Sequence, residues 1–221
     1  MNTLLAEDLM LVTADPARGT LRRPHGLALP RALAGAVLQD CLAQGAARLA
    51  GDRLIPEAPS VRPGPLVQHV RGRLTRETGV GPAIELLAAP RSRLGQHLLS
   101  SMTADGSVVR SRRRLLGVAP LSSYRIADPG AVETLRARVV AALFGPVDDP
   151  RVNALAALVR AADLHRLLHV DRDTVRRRGR PVLAYDPIAA AVADGIRRAR
   201  RDAATSGAVA ATVAGVAGSG S

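Results

Sequence analysis

Residues 149–168, DPRVNALAALVRAADLHRLL, constrain this chain more than any other stretch, because they carry a full helix signal and are apolar almost all the way round. A helix of that kind has no face to give to water and belongs in the middle of a fold. Asp149 is placed to accept hydrogen bonds from the first-turn amides, and Pro150 stands where a missing N–H loses no partner. Leu155, Leu158, Ala162 and Leu168 follow helical spacing, while Val159, Ala161 and Leu164 fill other faces. The alanines let neighbouring helices come close. The expectation is a mainly α, single-domain protein packed around this buried central helix, with short β-hairpins.

Aromatic residues make up only 1% of the chain, so Leu, Val and Ala must supply the packing, and few rings are left for stacking on bases. The 31 basic residues are all arginine and give a formal charge of +12. A GC-rich coding sequence favours arginine over lysine whatever the function, but it does not explain the excess charge. So basic a chain is drawn to polyanions, either nucleic acid or an anionic membrane face, and the guanidinium fork suits phosphate. A lone cysteine, Cys41, excludes an internal disulfide and fits a reducing compartment. No apolar run is long enough to span a bilayer and the opening MNTLLAEDLM lacks the flank of a signal peptide, so a cytoplasmic location is expected.

Taken in order, 1–12 reads as a short helix with Glu7 and Asp8 near its exposed side, followed by a loop over 20–30. Pro30 opens a helix to about residue 47, and 48–56 alternates as a short strand. Helices follow over 65–78, 82–87 and 91–100. Ala104, Asp105 and Gly106 then turn between two strand-like runs, the second over 108–118, which reads as a hairpin. Asp128–Pro129 and Asp186–Pro187 repeat the signal of Asp149–Pro150 and start two more helices. Residues 171–180 read as an arginine-dense loop. The helical domain is expected over 1–205, with 206–221 an Ala/Gly/Ser-rich tail, a weak helix whose last residues fray.

With that order laid out, the chain resembles the Golgi phosphoprotein 3 (GPP34) family in an actinobacterial-looking version. The resemblance is carried by LLAEDLMLVTADPARGT, LALPRALAGAVLQDCLAQGAARL, RSRLGQHLL, LLGVAPLSSYRIADP and above all RVNALAALVRAADLHRLL. It implies a helical domain that binds phosphatidylinositol 4-phosphate, sits peripherally on the inner face of a membrane, and acts as a non-catalytic adaptor holding membrane-enzyme cargo, with no cofactor. The implied headgroup site takes in Arg91 and Arg93. The positions implied for an early arginine and a tryptophan fall on Ala34 and near His25, and the residue three before Arg91 is Ala88. Arg22, Arg23 and Arg31 lie in the same early segment and offer charge from other backbone positions. The family's self-association hairpin corresponds to 101–116, which here carries Arg110, Arg112, Arg113 and Arg114 and so suits either a homo-oligomer or a membrane surface. The basic arm that precedes the domain in eukaryotic members has no counterpart, so coat-protein binding is not expected.

Plainer readings stand beside these. Exposed arginines commonly form a solvated face with incidental ion pairs. His165 and His169, four apart, would share a helix face as metal ligands do, but without HExxH a structural pair at a helix end is the expectation. Asp148 and Asp149 read as a cap rather than a catalytic pair, and Cys41 as buried and inert. P-loop, GxGxxG and GxSxG patterns are lacking. Nonspecific nucleic-acid binding on the basic surface is the alternative function, and an enzyme acting on a phosphorylated small molecule the third.

Overall fold

The computed structural model describes residues 4–15, 18–21, 26–74, 76–115, 119–178 and 186–217. Nine helices lie among them: α1 Leu5–Val12, α2 Ala28–Ala43, α3 Pro65–Arg73, α4 Val80–Ala88, α5 Leu94–Ala104, α6 Pro129–Phe144, α7 Pro150–Ala161, α8 Arg172–Arg178 and α9 Pro187–Ala217. The five strands are β1 Ala47–Ala50, β2 Arg53–Pro56, β3 Thr78–Gly79, β4 Val108–Leu115 and β5 Ala119–Ile126. The fold is mainly α, as expected.

The three Asp–Pro signals do what their chemistry requires. Asp128 accepts from Ala131 N–H at 2.9 Å, Asp149 from Arg151 and Val152 N–H at 2.9 and 3.3 Å, and Asp186 from Ile188 and Ala189 N–H at 2.9 and 3.0 Å. Each satisfies first-turn amides that have no partner within the helix. Asp186 also accepts from Gln39 at 2.6 Å, which ties the start of α9 to α2.

The core lies where α2, α7 and α9 meet. Along α2, Leu29, Leu33, Val37, Leu38 and Cys41 are all buried, and on α7 so are Val152 and Leu155 through Val159. Gly35 makes the close approach possible: a Cβ there would meet Val192 at 2.7 Å, Leu158 at 3.0 Å and Ile188 at 3.3 Å. α2 therefore shares the central place that the sequence assigns to 149–168 alone. Burial pushes the Cys41 thiol up to about 12, which keeps it protonated and inert.

Several expectations need correction. The central helix stops at Ala161 rather than continuing to Leu168. Asp163 takes a left-handed backbone (φ 59°), Asp163 N–H bonds Arg160 C=O at 3.1 Å, and Leu164 N–H bonds Val159 C=O at 2.9 Å. That pair of bonds is the Schellman stop, which glycine usually makes. A separate 3-10 turn, His165–Leu168, follows and ends at His169, also left-handed (φ 59°). His165 is buried and His169 exposed, so the two do not share one helix face.

The strand-like alternation over 48–56 is a hairpin, with Ala47 opposite Pro56 and Ala50 opposite Arg53, turning at Gly51–Asp52, and β3 adds a short third strand. The larger hairpin lies further along than expected. Buried Leu94, Leu98 and Met102 keep helical spacing and carry α5 to Ala104, so residues 101–104 are helix rather than strand. β4 pairs instead with β5, from Val108 opposite Ile126 to Leu115 opposite Ala119. The expected loop at 171–180 contains α8, because Asp171 caps it by accepting from Thr174 N–H at 2.9 Å while Val175 is buried. Residues 179–180 and the tail's last four, 218–221, lie outside the described residues.

Glu7 and Asp8 are buried, not near the exposed side of α1. Glu7 accepts from Leu4 N–H at 3.0 Å and from the Ser101 hydroxyl at 2.8 Å, and Asp8 pairs with Arg151 at 2.7 Å. Asp40 of α2 accepts from Leu5 and Ala6 N–H at 2.8 and 3.2 Å and so caps α1 across the core. Burial, only partly offset by those bonds, pushes the Asp40 carboxyl up to about 6.

Candidate functional site

A cleft of about 740 Å³ opens where the start of α2, the end of α4 and the start of α5 come together. Its walls are mixed. Leu27, Leu33, Leu87, Leu94, Leu99 and Tyr124 give an apolar lining, and Arg31, Glu85, Arg93 and Gln96 supply polar groups. Leu27 is 40% exposed at its rim, one of few large apolar side chains left to solvent. Aliphatic walls around a small number of cations suit a ligand that has both an acyl or ring part and a negative charge.

The chain reaches this corner by a strained route. Pro90–Ser92 form a 3-10 turn that ends in Arg93, whose left-handed backbone (φ 55°) leads directly into α5. Outside glycine that conformation costs about 1–2 kcal/mol. Ser92 braces the turn, its hydroxyl donating to Leu87 C=O at 2.5 Å and accepting from Leu94 N–H at 3.2 Å. Arg93 is thereby held exposed at the cleft beside the first turn of α5, where the helix dipole also favours an anion.

The two cleft arginines are not equivalent. Arg31 forms a two-pronged pair with Glu85, Nε to Oε1 at 2.8 Å and Nη2 to Oε2 at 2.6 Å, and its Nη1 donates to Leu27 C=O at 2.9 Å. Its side chain is only 14% exposed. Arg31 is thus a wall of the cleft, its charge already answered by Glu85. Gly195 of α9 makes room for this pair, since a Cβ there would lie 2.7 Å from Glu85 Oε1. Arg93 forms no ion pair among the described residues, and its charge remains available.

The other expected site residues are distributed unevenly. Arg91 is exposed but lies outside the cleft lining, while Ala88 is part of it. Ala34 is fully buried on α2, so a side chain there faces the core and not the cleft. Arg22, Arg23 and His25 lie outside the described residues. The segments on either side of them are placed: Leu21 N–H bonds Tyr124 C=O at 2.9 Å beside β5, and Gly26 and Leu27 line the cleft. Arg110 is exposed on β4, and the side chains of Arg112, Arg113 and Arg114 lie outside the described part of that strand.

Sequence reasoning missed the residues behind Arg91 and Arg93. His69 and Arg73 of α3 face His97 of α5, with the His69 and His97 rings stacked at 3.8 Å. Arg73 donates to Arg91 C=O at 3.1 Å. Part of the signal was present as the four-residue spacing of His69 and Arg73, which puts two basic groups on one face of α3. A second, smaller groove of about 430 Å³ runs between α1, α6 and the start of β4, lined by Leu11, Val132 and Leu135 with Asp105 and Asp128 at its edge.

Among the described residues no group of three or more His, Cys, Asp or Glu side chains is placed to hold a metal ion. No helix among them is long and apolar enough to cross a membrane. His165, 3% exposed, keeps both ring nitrogens without a hydrogen-bond partner there, the nearest charge being Asp163 Oδ1 at 3.6 Å. Its desolvation, against which Asp163 pulls only partly, lowers its pKa and keeps it neutral.

A search of curated proteins gives no match. Comparison with protein families matches Golgi phosphoprotein 3 (GPP34) over residues 5–211, from the first turn of α1 into the last part of α9. The matched span takes in the cleft, the strained Arg93 turn and both hairpins, and the chain belongs to the Golgi phosphoprotein 3 (GPP34) family.

Proposed function

We propose that this protein is a peripheral membrane adaptor that docks the α2–α4–α5 cleft onto anionic lipid headgroups, phosphatidylinositol 4-phosphate among them. The observation that carries this reading is the cleft itself: aliphatic walls, an exposed Leu27 at the rim, and Arg93 held free of ion pairs among the described residues at the start of α5. Membership of a family known for lipid-binding, non-catalytic adaptors supports it. Each basic group near an anionic surface adds about 1 kcal/mol, so Arg91, Arg93 and their neighbours suffice for reversible docking. In this reading the protein works in the cytoplasm on the inner membrane face, and what it holds there is a membrane enzyme. Self-association through the β4–β5 hairpin belongs to the same proposal.

Co-sedimentation with vesicles tests it, comparing neutral vesicles with vesicles carrying phosphatidylinositol, its 4-phosphate or phosphatidylglycerol at matched charge. Wild type is expected to sediment with the 4-phosphate vesicles, and Arg91→Ala with Arg93→Ala to bind about thirtyfold more weakly. Failure to bind any anionic vesicle would overturn the proposal. Nucleic acid would then take its place, because α8 and α9 present exposed Arg172, Arg176, Arg177, Arg197, Arg198 and Arg200 as a basic stripe away from the cleft.

A further inference from the structure

The basic corner beside the cleft has more cations than its ion pairs account for. His69 and Arg73 lie one turn apart on α3, Arg93 precedes α5 four residues before His97, and the 3-10 turn Pro90–Ser92 carries Arg91 just ahead of it. The imidazoles of His69 and His97 stack at 3.8 Å with 29° between their planes. His69 Nε2 is 3.0 Å from Ser92 C=O, and since a carbonyl only accepts, that nitrogen carries the hydrogen. Arg73 donates one Nη2 hydrogen to Arg91 C=O, while its enclosed Nε has no hydrogen-bond partner among the described residues.

No carboxylate answers these groups. Among the described residues Arg73, Arg91 and Arg93 form no ion pair. Desolvation and then the charges of His69, Arg73 and Arg93 hold the His97 imidazole below its usual pKa, and no acid acts against them. α1 also packs on α5, but its Glu7 is engaged one turn further on, at Ser101. The remaining neighbours of α5, from α2 and β4, meet it through the buried Leu94, Leu98 and Met102 side. Three arginines and two histidines, from α3, the 3-10 turn and the start of α5, thus gather beside the cleft, and the charges of His69, Arg73 and Arg93 act on His97.

We propose that His69, Arg73 and His97 join Arg91 and Arg93 in a cradle for a doubly charged phosphate monoester, and that the cradle takes up a proton together with its ligand. This rests on the headgroup reading above and names the headgroup chemistry. A phosphodiester brings one charge and only two free oxygens. A terminal monoester brings three oxygens and close to two charges, enough to engage two guanidinium forks and an imidazole at once. Such an anion offsets the charges gathered there. Protonation of the histidine pair is then easier in the complex than in the free protein, so an anion of fixed charge binds more tightly as pH falls through the imidazole range, whereas a monoester begins to lose its own second charge at about pH 6.

Isothermal titration calorimetry on the full chain tests this with two soluble probes: inositol 1,4-bisphosphate, which carries the monoester, and inositol hexasulfate, whose charge does not change with pH. Running the sulfate in buffers of different ionisation enthalpy counts protons taken up by the protein alone. Wild type should bind the sulfate up to about tenfold more tightly at pH 6 than at pH 7.5, with net proton uptake, one proton corresponding to tenfold per pH unit at most. His97→Gln, a change at an exposed position, should lose that pH dependence and the proton uptake while still binding at pH 7.5. His69→Gln should do the same, with circular dichroism confirming its fold. An unchanged pH slope in both variants would overturn the proposal.

Vesicle arms separate the two readings. If vesicles with phosphatidylinositol 4-phosphate and with phosphatidylglycerol bind alike at matched charge, and both histidine variants follow wild type, the cradle is wrong and headgroup docking stands. If no vesicle binds and inositol 1,4-bisphosphate still does, with proton uptake, the cradle stands on a free phosphate ester and the membrane reading falls. Tighter binding to the 4-phosphate vesicle than to the soluble bisphosphate identifies the lipid as the source.

Discussion

The meeting of α2, α7 and α9 and the corner formed by α3, Arg93 and α5 are built to opposite ends from much the same residue types. In the first, Gly35 admits Val192, Leu158 and Ile188 so closely that no further atom fits, and the Gln39 amide nitrogen is bonded to Asp186. In the second, arginines and histidines crowd together without a counter-charge among the described residues, and the backbone at Arg93 is left-handed without being glycine. Closed packing meets most of its groups from within the fold, Gln39 Oε1 being an exception among the described residues. The open corner leaves groups that only something from outside can answer, and strain retained at such a place is a mark of use.

The largest effect should come from the closed side. Leu158 is fully buried against Gly35, so Leu158→Ala should cost about 2–5 kcal/mol in urea unfolding and leave a cavity. A loss under about 1 kcal/mol would mean that this contact is looser than it looks. The same variant, where folded, should bind vesicles as wild type does.

A pH experiment probes the closed side's one costly group. The folded-state pKa of Asp40 lies at about 6, above the ordinary carboxylate value of about 3.9, so the folded chain holds this proton more tightly than the unfolded one. Its contribution is therefore fully present below about pH 4 and lost as pH rises through about 6. Relative to Asp40→Asn, wild type should lose stability on the order of 2 kcal/mol between pH 4.5 and 7. Parallel curves would contradict a buried carboxylate there.

Smaller effects sharpen the contrast. Asp149→Ala removes the cap of α7 and should cost about 1 kcal/mol, together with the 2.6 Å bond from Arg138, without touching lipid binding. On the open side stability and function should separate. Arg93→Gly relieves a left-handed backbone and should raise stability by up to about 1 kcal/mol. It should also weaken vesicle binding about fivefold, the loss of one basic group near the surface. A variant that loses stability and keeps binding would reverse the roles assigned to the two regions.

How legible each part was follows from the range of the interactions that make it. The starts of α6, α7 and α9 were readable because a cap is a bond between neighbours in sequence, Asp to the second or third amide on. Helix ends were harder to read. From sequence α2 runs on to about residue 47, past Gly45, where Ala46 N–H bonds Cys41 C=O at 2.8 Å, and the same stop is made by Asp163 after α7 and by His169 after the 3-10 turn, two residues that carry no glycine signal. The hairpin was misplaced because Leu98 and Met102 are buried by helical packing that the Ala104–Asp105–Gly106 turn concealed. In the cleft, Arg31 and Arg93 could be named by residue type and position. That Glu85 claims Arg31 across 54 residues, or that His69 stacks on His97, depends on contacts between helices and is not local information.

The most direct measurement is hydrogen–deuterium exchange of the full chain, with and without vesicles carrying phosphatidylinositol 4-phosphate. Exchange should slow over residues 26–34 and 90–98, the two sides of the cleft, and stay unchanged through α7. Slowing confined to 172–178 and 197–205, with the cleft unaffected, would contradict docking through the open corner and put the lipid on the arginine face of α8 and α9.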